Sequence, residues 1–180
     1  MLRFAAAAAG VIAFVLAANP VAATEAAVTD SRATQQPVTG PDSGLPVPRF
    51  VSLDADEANG RRRPDPRAPI DWVYTAPGLP LRVTAESGPW RRVEDPEGGQ
   101  VWMHTENLSN AATVYVRGNH RGEAMLRAAP RPDARTLAIL EVGVIARVSD
   151  CRDGWARLSV DDKAGWVRAD ALWGAVSCEG

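Results

Sequence analysis

Between residues 50 and 172 the chain runs in short bursts of Val, Leu, Ile and Trp that alternate with polar residues. Alternation with a period of two marks half-buried strands, and no long amphipathic helical period interrupts it. The pattern predicts strands over 50–55, 71–75, 81–85, 90–94 and 100–104. An irregular loop is expected at 61–67, turns at 77–78, 87–89 and 95–99, and a single helical turn at 105–108. The same order is predicted again, with strands over 124–127, 137–140, 145–149, 155–160 and 165–167. A loop at 130–133, a turn at Gly143 and a last turn ending at Leu172 complete this second series. Residues 113–117 read as a strand that either ends the first series or begins the second.

The two series are one unit used twice. From Gly78, Val83 lies five residues on, Trp90 twelve, Trp102 twenty-four and Leu108 thirty. From Gly143, Val148 lies five on, Trp155 twelve, Trp166 twenty-three and Leu172 twenty-nine. Upstream, Arg61 and Pro64 mirror Arg127 and Pro130 at an offset of 66. A repeat of roughly 60 residues is a supersecondary unit in its own right. About five short antiparallel strands and one helical turn fit a small β-barrel, whose closure would remove exposed sheet edges. The expected class is therefore all-β, with one small barrel over 49–112 and a second over 113–176. Fifteen glycines and fourteen prolines supply the close-set turns this requires.

Residues 1–48 have a different character. Arg3 precedes an uncharged apolar run at 4–18, then Asn19-Pro20 and the small residues Val21, Ala22 and Ala23. This is the layout of a secretory signal peptide over 1–23. The run falls short of the ~20 residues that span a bilayer. Residues 24–48 are rich in Ala, Thr, Pro, Ser, Gly and Gln, and are expected to be a disordered linker. Loss of Arg3 with the signal moves the net charge from −2 to −3, so no basic excess exists to hold nucleic acid. No later apolar run is long enough to cross a membrane. A periplasmic or secreted protein, with no membrane partner after signal cleavage, is expected.

The repeated landmarks carry a resemblance. The second unit reads Met125-Leu126-Arg127, Pro130, Gly143, Trp155 and Gly165-Trp166-Val167, and the first reads Asn59-Gly60-Arg61, Pro64, Gly78, Trp90 and Val101-Trp102-Met103. This series resembles the bacterial Src-homology-3-like (SH3-like) domains of the cell envelope. Their pattern is an Asn-Leu-Arg start, a Gly-Pro-rich loop, a turn glycine, a mid-strand Trp and a late Gly-Trp-Val. The resemblance covers 49–176 and is greatest to a tandem, secreted family of Gram-negative bacteria that has no established biochemical activity. Gly60 stands where the pattern has Leu and Val101 where it has Gly, so the first unit is expected to be the more degenerate. The resemblance implies a non-catalytic binding module whose partner is peptidoglycan, bound through an extended wall peptide, or else an envelope protein.

Candidate chemistry is sparse. Trp90, Trp102, Trp155 and Trp166 recur in both units and are expected to fill the barrels. Trp72 and Trp173 have no counterpart; Trp72 falls opposite Ala138. Trp72 and Tyr74 lie two apart in one strand and so share a face. They sit beside the loop of Arg61, Arg62 and Arg63, and aromatic anchors next to arginines are the composition of binding hot spots. These five residues are the candidate ligand contacts, unless Trp72 and Tyr74 merely seal the joint between units. Cys151 and Cys178, the only cysteines of an exported chain, invite a disulfide. The two histidines, His104 and His120, have no nucleophile in a recognisable motif beside them. No close-set Cys or His ligands suggest a metal, and no Gly-rich phosphate loop suggests a nucleotide. No catalytic residue, metal or cofactor is expected.

Overall fold

The computed structural model describes residues 38–176 and Cys178. The expected signal peptide and residues 24–37 of the expected linker lie outside the described residues. A two-stranded ribbon comes first, β1 (Val38–Thr39) with β2 (Pro46–Val47). The first domain follows with β3 (Arg49–Leu53), β4 (Ala58–Arg61), β5 (Ile70–Tyr74), β6 (Pro80–Ser87), β7 (Trp90–Glu94), β8 (Gln100–His104), a 3-10 turn over Thr105–Asn107 and β9 (Leu108–Ser109). The second has β10 (Thr113–Val116), β11 (Glu123–Arg127), β12 (Thr136–Glu141), β13 (Ile145–Arg152), β14 (Trp155–Val160), β15 (Lys163–Arg168), a 3-10 turn over Ala169–Ala171 and β16 (Leu172–Gly174). The residues that could have ended the first series begin the second.

The two domains have one topology. The first is a seven-stranded antiparallel sheet in the order β5-β4-β8-β7-β6-β3-β9, and the second runs β12-β11-β15-β14-β13-β10-β16, which is the same order element for element. Even the irregularities recur: the register shifts at Gly60/Arg61 and again at Leu126/Arg127, and between Val83/Ala85 and again between Val148/Asp150. Gly78 and Gly143 both take a positive φ, 81° and 95°, which a side chain disfavours and a turn glycine tolerates. The ladder does not run full circle. β5 and β9 are the free edges of one sheet, β12 and β16 of the other.

The cores are aliphatic. Leu53, Leu81, Val83, Val93 and Met103 centre the first, and Val116, Leu126, Leu158 and Val167 the second. Neither core cluster contains a tryptophan. Trp90, Trp155 and Trp166 are buried and Trp102 half-buried, yet they lie beside the cores. They are buried or half-buried as expected, and they flank the mainly aliphatic clusters at the centre of each domain.

The two departures from the repeat pattern are a single compensated exchange. A Cβ on Gly60 would lie 2.7 Å from Val101 Cγ2 and 2.9 Å from Tyr74 Cε2. In the second domain a Cβ on Gly165 would lie 2.8 Å from Leu126 Cγ. Gly60 matches Leu126, and Val101 matches Gly165. One domain places the bulk on one strand and the other places it on the facing strand, where Val101, with Tyr74, takes up the space that Leu126 fills in the second domain. The first unit is therefore repacked, not degraded.

Residues 38–48 correct the expectation of a disordered linker. A segment with few large apolar residues builds no core of its own, but here it borrows one. Val47 packs on the first core. Glu86, with no solvent-accessible side-chain surface, accepts from Ser43 N at 2.9 Å, Ser43 Oγ at 2.6 Å and Asp42 N at 3.1 Å. It also pairs with Arg49 at 2.8 Å and Arg91 at 3.4 Å. Burial alone would raise this carboxyl; the hydrogen bonds from Ser43, then Arg49 and Asp42, outweigh it and carry the pKa from 4.5 down to about 2. At the other end of the chain Cys151 and Cys178 form a disulfide, with Cα atoms 4.9 Å apart, that ties the tail to β13.

Trp173 joins the two domains. Its ring meets Phe50 edge-on at 5.0 Å between centroids, and Arg117 lies over it at 5.3 Å. Ser52 Oγ and Thr113 Oγ1 add a buried hydrogen bond of 2.5 Å across the same joint.

Candidate functional site

Strand β5 is an edge strand with an unusual outer surface. Ile70, Trp72 and Val73 are all exposed, Trp72 by 62%. An apolar edge of this kind is a liability unless something covers or uses it. Trp72 does not seal the joint between domains, a task that falls to Trp173 and Phe50. With Tyr74 it lines a cleft of about 410 Å³, together with Leu79, Asp95, Glu97 and, from the second domain, Tyr115.

The cleft is built from the residues that set the first domain apart. Because Gly60 has no side chain, the Tyr74 ring lies against its backbone, across the strand pair from β5. The phenol then reaches Asp95 and donates to Oδ2 at 3.0 Å. The other carboxylate oxygen of Asp95 accepts from Gly99 N at 2.8 Å and Glu97 N at 3.0 Å, which fixes the β7–β8 turn. Burial, and then the negative charges of Asp95 and Glu97 with the Asp95 hydrogen bond, push the Tyr74 phenol well up. It stays protonated and remains a donor. In the second domain Leu126 fills the space over which Tyr74 lies, and the matched side chains are Ala138 and Leu140.

The arginines divide. Arg61 Nη1 donates to the Ala68 carbonyl at 2.7 Å, and its counterpart Arg127 Nη1 donates to the Ala134 carbonyl at 2.8 Å. Both tie a long hairpin loop to its root. Arg62 is exposed and pairs with Asp71 at 2.6 Å. Arg63 is exposed in the loop. None of the three lines the cleft, whose charged lining residues are Asp95 and Glu97. The structure therefore brings Trp72 and Tyr74 together as expected and sets them beside carboxylates in place of arginines. Asp95, Glu97 and Tyr115 were not singled out by the sequence, where a turn Asp and a strand Tyr carry no signal.

A second feature occurs in both domains. In the first, Ala58, Arg61, Pro66, Trp90, His104 and Glu106 line a groove of about 360 Å³. In the second, the matched Ala124, Arg127, Pro132, Trp155, Arg168 and Asp170 line one of about 370 Å³. The grooves differ in chemistry. His104, edge-on to Trp90 at 5.2 Å, is replaced by Arg168, which lies 5.6 Å from the Trp155 ring. Asn59 is replaced by Met125.

A family model described as the bacterial SH3 domain matches twice, at residues 54–110 and 120–174. No curated protein matches the chain. Among solved structures the chain is similar to NlpC2 from Trichomonas vaginalis, with 13% identity, a TM-score of 0.32, and coverage of 70% of this chain and 48% of that one. It is similar to NlpC1 from the same organism, with 13% identity, a TM-score of 0.32, and coverage of 74% and 48%. An NlpC/P60 family protein from Bacillus cereus gives 14% identity, a TM-score of 0.31, and coverage of 69% and 55%. The chain spans about half the length of these structures.

Proposed function

The chain belongs to the bacterial SH3 domain family, and from that premise we propose that it is a non-catalytic binding module of the cell envelope that holds an extended wall peptide. The observation that carries the reading is Trp72, 62% exposed on a free edge strand beside Tyr74, where the sister domain has Ala138 and Leu140. A large aromatic left in water at one matched position only is not explained by the architecture that both domains share. An extended peptide suits an edge strand, since the strand offers unpaired backbone groups and alternate side chains fall into adjoining clefts. Trp72 and Tyr74 are the contacts, and Arg62 and Arg63 meet a ligand that extends past the cleft to the loop. The Cys151–Cys178 disulfide supports an oxidising compartment outside the cytoplasm.

The test is co-sedimentation of the protein with purified peptidoglycan, before and after Trp72→Ala. Binding that falls about tenfold or more, with a melting temperature unchanged as expected for an exposed position, supports the reading. Failure of the unmodified chain to sediment, or equal sedimentation of the variant, overturns it. Recovery of one envelope protein in place of the wall would make the chain an adaptor.

A further inference from the structure

We propose that the cleft between β5 and the β7–β8 turn recognises a primary ammonium group carried on an extended peptide, through the Trp72 and Tyr74 rings and the carboxylates of Asp95 and Glu97. The inference rests on the reading of the chain as a peptide-binding module and names what that module selects. Three observations converge on one charge type. First, the cleft's charged lining residues are both acidic, and among the described residues no cation pairs with either. Arg117 Nη2 donates to the backbone carbonyl of Pro96, between Asp95 and Glu97, at 3.0 Å. Second, the exposed indole of Trp72 stands in the same cleft, and indole is the ring that attracts a cation best. Third, the sister domain lacks the aromatic part of it, although its matching turn also carries carboxylates, Asp161 and Asp162. Its residues are Ala138 and Leu140, and its matching turn carries its own cation, Lys163, 3.0 Å from Asp162. The aromatic pair and the missing side chain at Gly60 occur together with the acidic turn in the first domain alone.

An ammonium fits better than an anion or a neutral group. A carboxylate would meet two like charges in a partly desolvated cleft, whereas an ammonium placed there has acceptors and a ring face. Tyr74 has its hydroxyl committed to Asp95, so its ring is what remains to offer.

The experiment is a titration of the full chain with the end-capped peptide Ala-Ala-Lys-Ala, followed by NMR through the Trp72 indole signal, which is assigned by its loss in Trp72→Ala. The Nε-acetyl-lysine form of the same peptide and a form with glutamate at that place serve as controls. Saturable binding of the lysine peptide is expected, weakened about fivefold or more by acetylation and by Glu97→Gln, an exposed change that leaves the turn hydrogen bonds intact. Equal binding of the acetylated or glutamate peptide, or no shift at Trp72 up to millimolar peptide, overturns the proposal. A parallel sedimentation with peptidoglycan whose free amines have been acetylated separates this inference from the reading beneath it. Undiminished sedimentation of the acetylated wall overturns ammonium selection and leaves wall binding standing. Saturable lysine-peptide binding by a chain that sediments with neither wall upholds ammonium selection and removes the wall.

Discussion

The exchange between Gly60 and Val101 in one domain and Leu126 and Gly165 in the other gives a quantitative test of the packing. Gly60→Ala places a Cβ 2.7 Å from Val101 Cγ2 and 2.9 Å from Tyr74 Cε2, well inside the ~3.5–4.0 Å of a relaxed carbon contact. Both obstacles are tethered in a strand pair, so the strain should cost about 1–3 kcal/mol. Val101→Ala removes two buried carbons from a site that is 2% exposed, at ~0.8 kcal/mol each, and the incomplete collapse around it brings the loss to about 2 kcal/mol. If the two residues share one space, the double variant is more stable than the sum of the single effects by about 1–2 kcal/mol. Tyr74 prevents complete relief. The assay is urea unfolding of the full chain, read from the methyl signals of Leu53 and Val93 so that only the first domain reports. Additivity within ~0.5 kcal/mol would mean that the two positions do not compete, and the compensated exchange would be refuted.

Three further outcomes follow from other contacts. Glu86→Gln should release the β1–β2 ribbon: hydrogen bonds to a charged acceptor contribute about 1.5–3 kcal/mol, so protection of the Ser43 amide against exchange should fall about tenfold or more, and unchanged protection would show that the carboxylate does not hold the ribbon. The same clasp is pH-dependent. Glu86 has its folded pKa lowered from 4.5 to about 2, so its stabilisation is complete above 4.5 and is lost as pH falls toward 2, which exchange at Ser43 across that interval checks. Opening the Cys151–Cys178 bridge, with a sequence separation of 27, should lower the second domain by about 3–4 kcal/mol and leave the first unaltered, measurable as one shifted transition on reduction. Arg61→Ala and Arg127→Ala should each cost about 1–2 kcal/mol and free the loop between the strands they anchor, and a domain that ignored its substitution would sever the parallel between the two loops.

Most of the fold was legible because the repeat states it twice. A strand that is ambiguous in one copy is clear in the other: β4 gives no strand signal at Asn59-Gly60, where strand propensity is poor, while its counterpart β11 is legible in Met125-Leu126. The position of residues 113–117 was not legible, since a strand between two units pairs with whichever sheet receives it, and here that is β13 and β16. The ribbon at 38–48 escaped for another reason. Composition reports what a segment can bury by itself, and it is silent about a distant buried carboxylate such as Glu86. Within the site, the shared face of Trp72 and Tyr74 followed from strand geometry alone. The acidic wall did not, because the β7–β8 turn approaches β5 only through the sheet order β5-β4-β8-β7.

Using each domain as a control for the other has a blind spot as well as a strength. A groove present in both copies looks architectural, and Trp90 and Trp155 line matched grooves. What the comparison isolates reliably is a set of differences that require one another. Without a side chain at Gly60, the strand pair would be underpacked unless bulk came from elsewhere, and Val101 and Tyr74 supply it. Tyr74 in place of an aliphatic residue brings a hydroxyl that needs an acceptor when half-buried, and Asp95 provides it at 3.0 Å. Those changes form a self-consistent packing solution and need no ligand to explain them. Trp72 is not part of that solution: nothing in the packing demands an indole that stays 62% exposed. The internal logic of the first domain thus accounts for the floor of the cleft and leaves its most apolar wall unexplained by folding, which is why Trp72 is the residue on which a binding role is argued.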